Sequence, residues 1–259
     1  MIITKYHSSP YRANMPRWVA IIGTTLLLAL QYFISGLNED IAPRLTSYFG
    51  LDSSKVSFFL LISTVGLVAI LPITYRFRDY FRRVSLLLGV IGLQFFISVL
   101  CIFTSNEVLL LITSFLMGGL KIICIIDFLS LSIDLFPFLK NRGLFYGVFY
   151  GFVRTMREVS SYFTLTLIDQ YDWRVIFIVS AIAAIFSIFI CLVLFHRSRM
   201  QRKVPLYQVE WISMLLMIVA GVSLCYILTM GKEKEWFASQ EIVYASILLI
   251  PKSSMGPNF

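Results

Sequence analysis

Seven ionisable side chains sit in or at the edge of otherwise apolar stretches. Glu39 and Asp40 follow WVAIIGTTLLLALQYFISGLN. Lys121 and Asp127 interrupt LLITSFLMGGLKIICIIDFLSLSIDLF. Arg154, Arg157 and Glu158 interrupt GVFYGFVRTMREVSSYFTLTLI. A charge at the centre of a helix in a bilayer costs at least about 2.5–3.5 kcal/mol, so such residues are kept for pairing, for substrate or ion binding, or for proton relay. At about 100° per residue, Arg154, Glu158 and Ser161 share a helix face with Gly143, Gly147 and Gly151, and Arg157 lies at its edge. Arg154 and Glu158 stand at i, i+4 and can pair within the helix. The G-x-x-x-G-x-x-x-G ridge admits a close helix neighbour, which predicts that this face meets protein rather than lipid.

Lys121 shares its face with Ser114 and Gly118, whereas Asp127 aligns with Asp134. Six residues, about 120° around the helix, separate Lys121 from Asp127, so each needs its own partner. The complementary charges of the next apolar stretch predict Lys121 with Glu158, and Asp127 with Arg154 or Arg157. Two roles stay open for such a network: an ion pair locking helices together, or a path for substrate or protons.

Other chemistries find no residues to carry them. The four cysteines all fall inside apolar runs with no CxxC or CxxH spacing, and His7 and His196 lie outside those runs. No G-x-S-x-G, Walker glycine pattern, HExxH or aspartate-rich prenyl site occurs. The expectation is no enzyme, no metal and no cofactor.

The elements that must position these charges are apolar spans. The 259 residues are 58% hydrophobic and 14% charged with a mean hydropathy of +0.83, against about 25% charged in soluble domains. That composition predicts an all-α polytopic membrane protein. Runs long enough to cross a core of about 30 Å fall at about 18–41, 56–75, 84–104, 107–135, 143–168, 174–195 and 210–230. The first continues without a cleavage site and reads as an uncleaved span. An eighth run begins near Glu241 and meets Pro251 after IVYASILLI, too short to cross as a helix.

With the N-terminus placed in the cytoplasm, thirteen Lys and Arg residues lie in cytoplasmic segments, among them Arg76, Arg78, Arg82, Arg83 and Arg142, and five on the opposite side. The net charge of +8 is thus explained by topology, and nucleic acid is excluded as a partner. The expected location is a plasma or inner membrane, multi-pass, with the lipid bilayer as solvent.

Three stretches carry a family resemblance: YDWRVIF after span 5, FPFLKNRGLFYGVF between spans 4 and 5, and the acidic-Trp start of span 7 with its G-x-x-x-x-WF-x-S loop at Gly231, Trp236, Phe237 and Ser239. In order and spacing they resemble the major facilitator superfamily, in particular its fourteen-span drug:proton antiporter branch, over about residues 14–250. The loop between spans 2 and 3, TYRFRDYFRRV, keeps Arg82, Arg83 and an acid, Asp79, one place out of register. Ser160, Ser161, Thr164 and Leu165 stand where the branch has its G-P-x-x-G-G, and Ser114 where it has a span-4 arginine.

The resemblance implies a six-helix bundle of two inverted three-helix repeats, with Asp79, Arg82, Arg83 and Arg142 as candidates for gating at the loops. Gly118, Gly143, Gly147 and Gly151 are expected in helix packing. Glu39, Asp40, Lys121, Asp127, Arg154, Arg157 and Glu158 are candidates for substrate or ion coupling, Glu39 as a proton carrier. The implied organisation is a cytoplasmic N-terminus (1–17), a six-span bundle (18–195), a basic cytoplasmic loop (196–209), a seventh span with the start of an eighth (210–250) and a polar tail (251–259). The implied function is cation-coupled efflux of a small molecule, with protons as candidate coupling ion, in a chain covering the N-terminal part of such a transporter. A remnant or half-transporter subunit is the alternative reading, and a membrane-embedded enzyme or scramblase a third.

Overall fold

The computed structural model describes residues 11–12, 15–40, 53–104, 106–135, 142–196 and 211–249, without the side chains of 38–40, 53, 79, 134, 142 and 213. Among them the chain is all-α. Its helices are α1 (Arg17–Asp40), α2 (Ser53–Tyr80), α3 (Arg83–Phe103), α4 (Glu107–Leu135), α5 (Arg142–Gln170), α6 (Arg174–Leu194), α7 (Trp211–Met230) and α8 (Gln240–Leu249), with a 3₁₀ turn, Trp236–Ala238, before the last. Their bounds follow the apolar runs to within a few residues.

α1, α2, α3, α4 and α6 each carry a segment long and apolar enough to cross a bilayer. α5 has the length, 29 residues, but its three mid-helix charges lower its hydropathy. α8, ten residues long, rises about 15 Å, half of a bilayer core.

Local chemistry sets the helix ends. Pro16 precedes α1, and its carbonyl accepts from Val19 N at 3.1 Å. Asn106 caps α4 through its side chain, Oδ1 accepting from Val108 N at 3.0 Å, with Glu107 adding a favourable charge in the first turn. Just before α6, Asp172 Oδ1 accepts from the backbone N of Trp173 at 2.8 Å, holding the residue that begins the helix. Between α7 and α8 the chain reverses tightly at Gly231, whose carbonyl accepts from Trp236 N at 2.7 Å. A Cβ on Gly231 would lie 2.9 Å from the Trp236 ring, while Glu235 and Trp236 adopt φ of 54° and 53°. The glycine and tryptophan of the G-x-x-x-x-WF spacing are therefore two sides of one turn, which the Lys234–Glu241 ion pair also closes.

Helix packing has a simple symmetry. α2 packs on α4, α1 on α5, α3 on α6, α1 on α4, α3 on α4, α1 on α6, and more lightly α2 on α3 and α5 on α6. Exchanging α1, α2, α3 for α4, α5, α6 turns this set into itself. Successive crossings alternate in direction, so α1 and α4 run oppositely and the two three-helix units are inverted repeats. α7 packs against α2, outside the symmetric six, and α8 against α7.

The interfaces use small residues. A Cβ on Gly118 of α4 would lie 1.9 Å from the Ser63 carbonyl of α2, and one on Gly66 of α2 would lie 2.0 Å from the Phe115 carbonyl of α4, so these two backbones touch. At the symmetry-related α1–α5 contact, Gly36 meets Ser160, whose hydroxyl donates to the Phe33 carbonyl at 2.9 Å. Ser98 of α3 and Ser180 of α6, fully buried, hydrogen-bond across the third seam at 3.1 Å. α6 turns Ala181, Ala183, Ala184, Ser187 and Cys191 inward and Ile178, Ile182, Ile185, Phe189 and Leu192 outward, the division expected of a helix between protein and lipid.

Two apolar layers fill the bundle. One, toward the N-terminal side, gathers Leu27, Leu87, Ile91, Phe128 and Leu194. The other, toward the opposite side, gathers Leu37, Phe59, Ile97, Leu110 and Ile176. Tyr11 lies against the end of α6, its ring 5.3 Å from that of Phe195, and Arg12 N donates to the Leu194 carbonyl at 3.4 Å. The N-terminal segment and the end of the sixth helix thus share one side, as six crossings require.

Candidate functional site in the core of the bundle

α4 and α5 make little direct contact, because α1 packs between them. That arrangement changes the predicted ion pairs. Asp127, 2% exposed, pairs with Arg83 at the start of α3, Nε to Oδ1 3.7 Å, rather than with Arg154 or Arg157. Ser130, one turn along α4, receives hydrogen bonds from Arg83 Nη2 at 3.3 Å and Arg78 Nη1 at 3.4 Å. The α2–α3 connection is thereby fastened to the end of α4 by two arginines that span 2 and span 3 supply and one buried carboxylate. Arg82, between them in the chain, is the extended residue at the N-terminal boundary of α3. The side chains of Asp79 and Arg142 lie outside the described residues, as do those of Glu39, Asp40 and Asp134.

Glu158 takes Arg154 as its partner, at 2.7 Å across one helical turn, and not Lys121. Both side chains are open, 70% and 60% exposed. Gly143, Gly147 and Gly151, expected to pack against a helix, have no atom of another described residue within 4 Å of a Cβ placed on them. The reason is orientation. α5 meets α1 through the fully buried Ser160, which leaves the glycine ridge open and the Arg154–Glu158 pair exposed at the mouth of the space between α1 and α5.

Between α1, α4 and α5 opens a cleft of about 260 Å³. Tyr32 and Ser35 come from α1, Lys121 from α4, and Tyr150, Arg154 and Arg157 from α5. Lys121, Arg154 and Arg157 converge on it although 33 residues separate the first two in sequence. Among the described residues, the charged ones that line the cleft are cationic, Arg154 being paired with Glu158.

Behind Lys121 lies a second, water-sized chamber of about 20 Å³, walled by Gln31 and Ser35 of α1, Ser63 of α2, Gln94 of α3 and Ser114 of α4. It sits where the two apolar layers meet. Gln31 and Gln94 are 1% and 2% exposed, and Gln31 Oε1, Gln31 Nε2 and Gln94 Oε1 have no hydrogen-bond partner in the protein. Leaving a buried polar group unsatisfied costs about 1–3 kcal/mol, so three orphaned atoms in one chamber are a substantial departure from ordinary packing.

Neither glutamine stands out by charge, and inspection of the ionisable residues misses both. A signal was there. Leu30–Ser35 reads LQYFIS and Leu93–Ser98 reads LQFFIS, a repeated hexapeptide that puts one amide on α1 and one on α3, facing the same chamber.

Cys101, Cys124, Cys191 and Cys225 are free and buried, and no group of His, Cys, Asp and Glu could hold a metal ion among the described residues. Apolar spans, inverted three-helix units and a polar cleft at their centre form a transporter architecture, and the family model for the Major Facilitator Superfamily matches residues 20–250. The chain belongs to the Major Facilitator Superfamily. It matches no curated protein. As a member of this family it is a multi-pass membrane protein and a transporter of small molecules. The α1–α4–α5 cleft is then the place to look for a substrate.

Proposed function

We propose that this superfamily member is a secondary transporter of small organic anions, with the α1–α4–α5 cleft as substrate site. The observation that carries this reading is the charge of that cleft: Lys121, Arg154 and Arg157 line it together with the rings of Tyr32 and Tyr150. A planar carboxylate suits guanidinium and ammonium donors, and the tyrosines offer aromatic faces to an apolar body. Coupling to a proton gradient, efflux as the direction, and a plasma or inner membrane with the N-terminus in the cytoplasm complete the proposal. The excess of basic residues on the N-terminal side supports that orientation, and the resemblance to drug:proton antiporters supports the coupling. Glu158, beside the cleft through its pair with Arg154, is the candidate proton carrier, with Glu39 as the second.

Benzoate binding to the protein in nanodiscs tests the site. Lys121→Met should weaken benzoate roughly tenfold or more, as loss of a charge-assisted contact worth about 1.5–3 kcal/mol implies, and benzylammonium should not bind. Tighter binding of benzylammonium than of benzoate would overturn the anion reading. In proteoliposomes an imposed pH gradient should drive benzoate movement and an uncoupler should stop it. Flux that stays gradient-driven in both Glu39→Gln and Glu158→Gln would remove these two residues from coupling.

A further inference from the structure

The chamber behind Lys121 has hydrogen-bonding needs that the protein leaves unmet. Two buried oxygens, Gln31 Oε1 and Gln94 Oε1, want a hydrogen, and one buried amide nitrogen, Gln31 Nε2, wants an acceptor. The chamber's volume of about 20 Å³ admits one heavy atom of water size. A water, with two hydrogens to give and a lone pair to offer, meets that whole set; a hydroxyl meets the amide nitrogen and one of the two oxygens, and a methyl group or a bare cation meets less. Lys121 and Ser35 form part of both walls, so the chamber borders the cleft, with these two side chains between them. Lys121 also excludes a second cation by repulsion, which leaves a water or a hydroxyl as the occupant.

We propose that the Gln31–Gln94 chamber is a hydrogen-bonding subsite of the transport cleft, filled by water at rest and by a hydroxyl of the substrate when it binds. The substrate class narrows from organic anions to hydroxylated organic anions: the carboxylate on Lys121, Arg154 and Arg157, the hydroxyl between Gln31 Nε2 and Gln94 Oε1. This rests on the anion reading of the cleft and adds a specificity element to it. A site built to hydrogen-bond a hydroxyl discriminates against the analogue that lacks one, because its own polar groups are then left to water or to nothing.

The test uses benzoate, its 2-, 3- and 4-hydroxy derivatives and the matching methoxy derivatives, bound to the protein in nanodiscs. At least one hydroxybenzoate should bind about tenfold more tightly than benzoate, and its methoxy counterpart, which cannot donate and overfills the chamber, should lose that gain. The Gln31→Leu/Gln94→Leu double variant should erase the preference for the hydroxyl, its hydroxybenzoate-to-benzoate affinity ratio falling to about one. Should the variant not fold, the methoxy comparison on the parent protein still decides. Equal affinity for benzoate and all three hydroxybenzoates would overturn the subsite and leave the anion cleft standing. Absence of benzoate binding, or binding indifferent to Lys121→Met, would overturn the cleft reading itself and the subsite with it.

Discussion

Arg83 and Asp127 define what a single side chain does here. Asp127 is 2% exposed and the Arg83 side chain 22%, so removing the arginine leaves a buried carboxylate with the more distant Arg78 as its remaining cation. Breaking a buried pair from one side costs about 3–5 kcal/mol, whereas replacing both partners by apolar residues is often close to neutral. Arg83→Leu should therefore lower the unfolding free energy in detergent by about 3 kcal/mol, and Arg83→Leu/Asp127→Leu should recover most of the loss. An additive double variant would show that the pair contributes nothing. The pair was half legible in the sequence. Asp127 announced itself as a buried charge and Arg83 as part of a basic loop, but their meeting was not, because adjacency along the chain favoured span 5. α1 occupies the place between α4 and α5, and no local pattern records that. Gln31 and Gln94 were less legible still, since an amide inside an apolar run changes neither hydropathy nor charge enough to attract notice.

At the scale of elements, two sets of glycines separate packing from mere pattern. Gly118 and Gly66 touch the backbone of the facing helix, where nothing flexible can yield. Gly118→Ala should push α2 and α4 apart and lower the melting temperature by several degrees. Gly147→Ala faces open space and gains the helix propensity of alanine over glycine, up to about 1 kcal/mol, so its melting temperature should hold or rise. A destabilising Gly147→Ala would mean that the α5 ridge is packed after all. Helix limits were readable because a bilayer demands about 20 apolar residues per crossing and the breaks between runs are short. Which glycines pack was partly readable: Gly118, expected in packing, touches the α2 backbone, whereas the G-x-x-x-G-x-x-x-G ridge of α5, expected there too, faces open space. Spacing reports that a face is smooth; only the third dimension reports what lies against it.

At the scale of the molecule, the packing that maps onto itself when the first three helices exchange with the second three makes α3–α6 a seam between the two inverted units, pinned by the 3.1 Å Ser98–Ser180 hydrogen bond. The cleft, in contrast, is lined among the described residues by α1, α4 and α5. Motion of the bundle during transport has two places to act, and the geometry separates them. If the six helices move as one body, locking the α3–α6 seam leaves the cleft untouched. If the two units slide on each other, it does not. Ser98→Cys/Ser180→Cys brings two thiols to positions whose hydroxyls are already in contact, within the reach of a disulfide. Mild oxidation should form the cross-link, identified by peptide mapping because four native cysteines are also present. Benzoate affinity should then change by less than about twofold, since the six-helix bundle with two continuous apolar layers resists internal sliding as any close-packed core does. A cross-linked protein that no longer binds benzoate, and regains it on reduction, would place the moving joint inside the bundle, between its inverted halves.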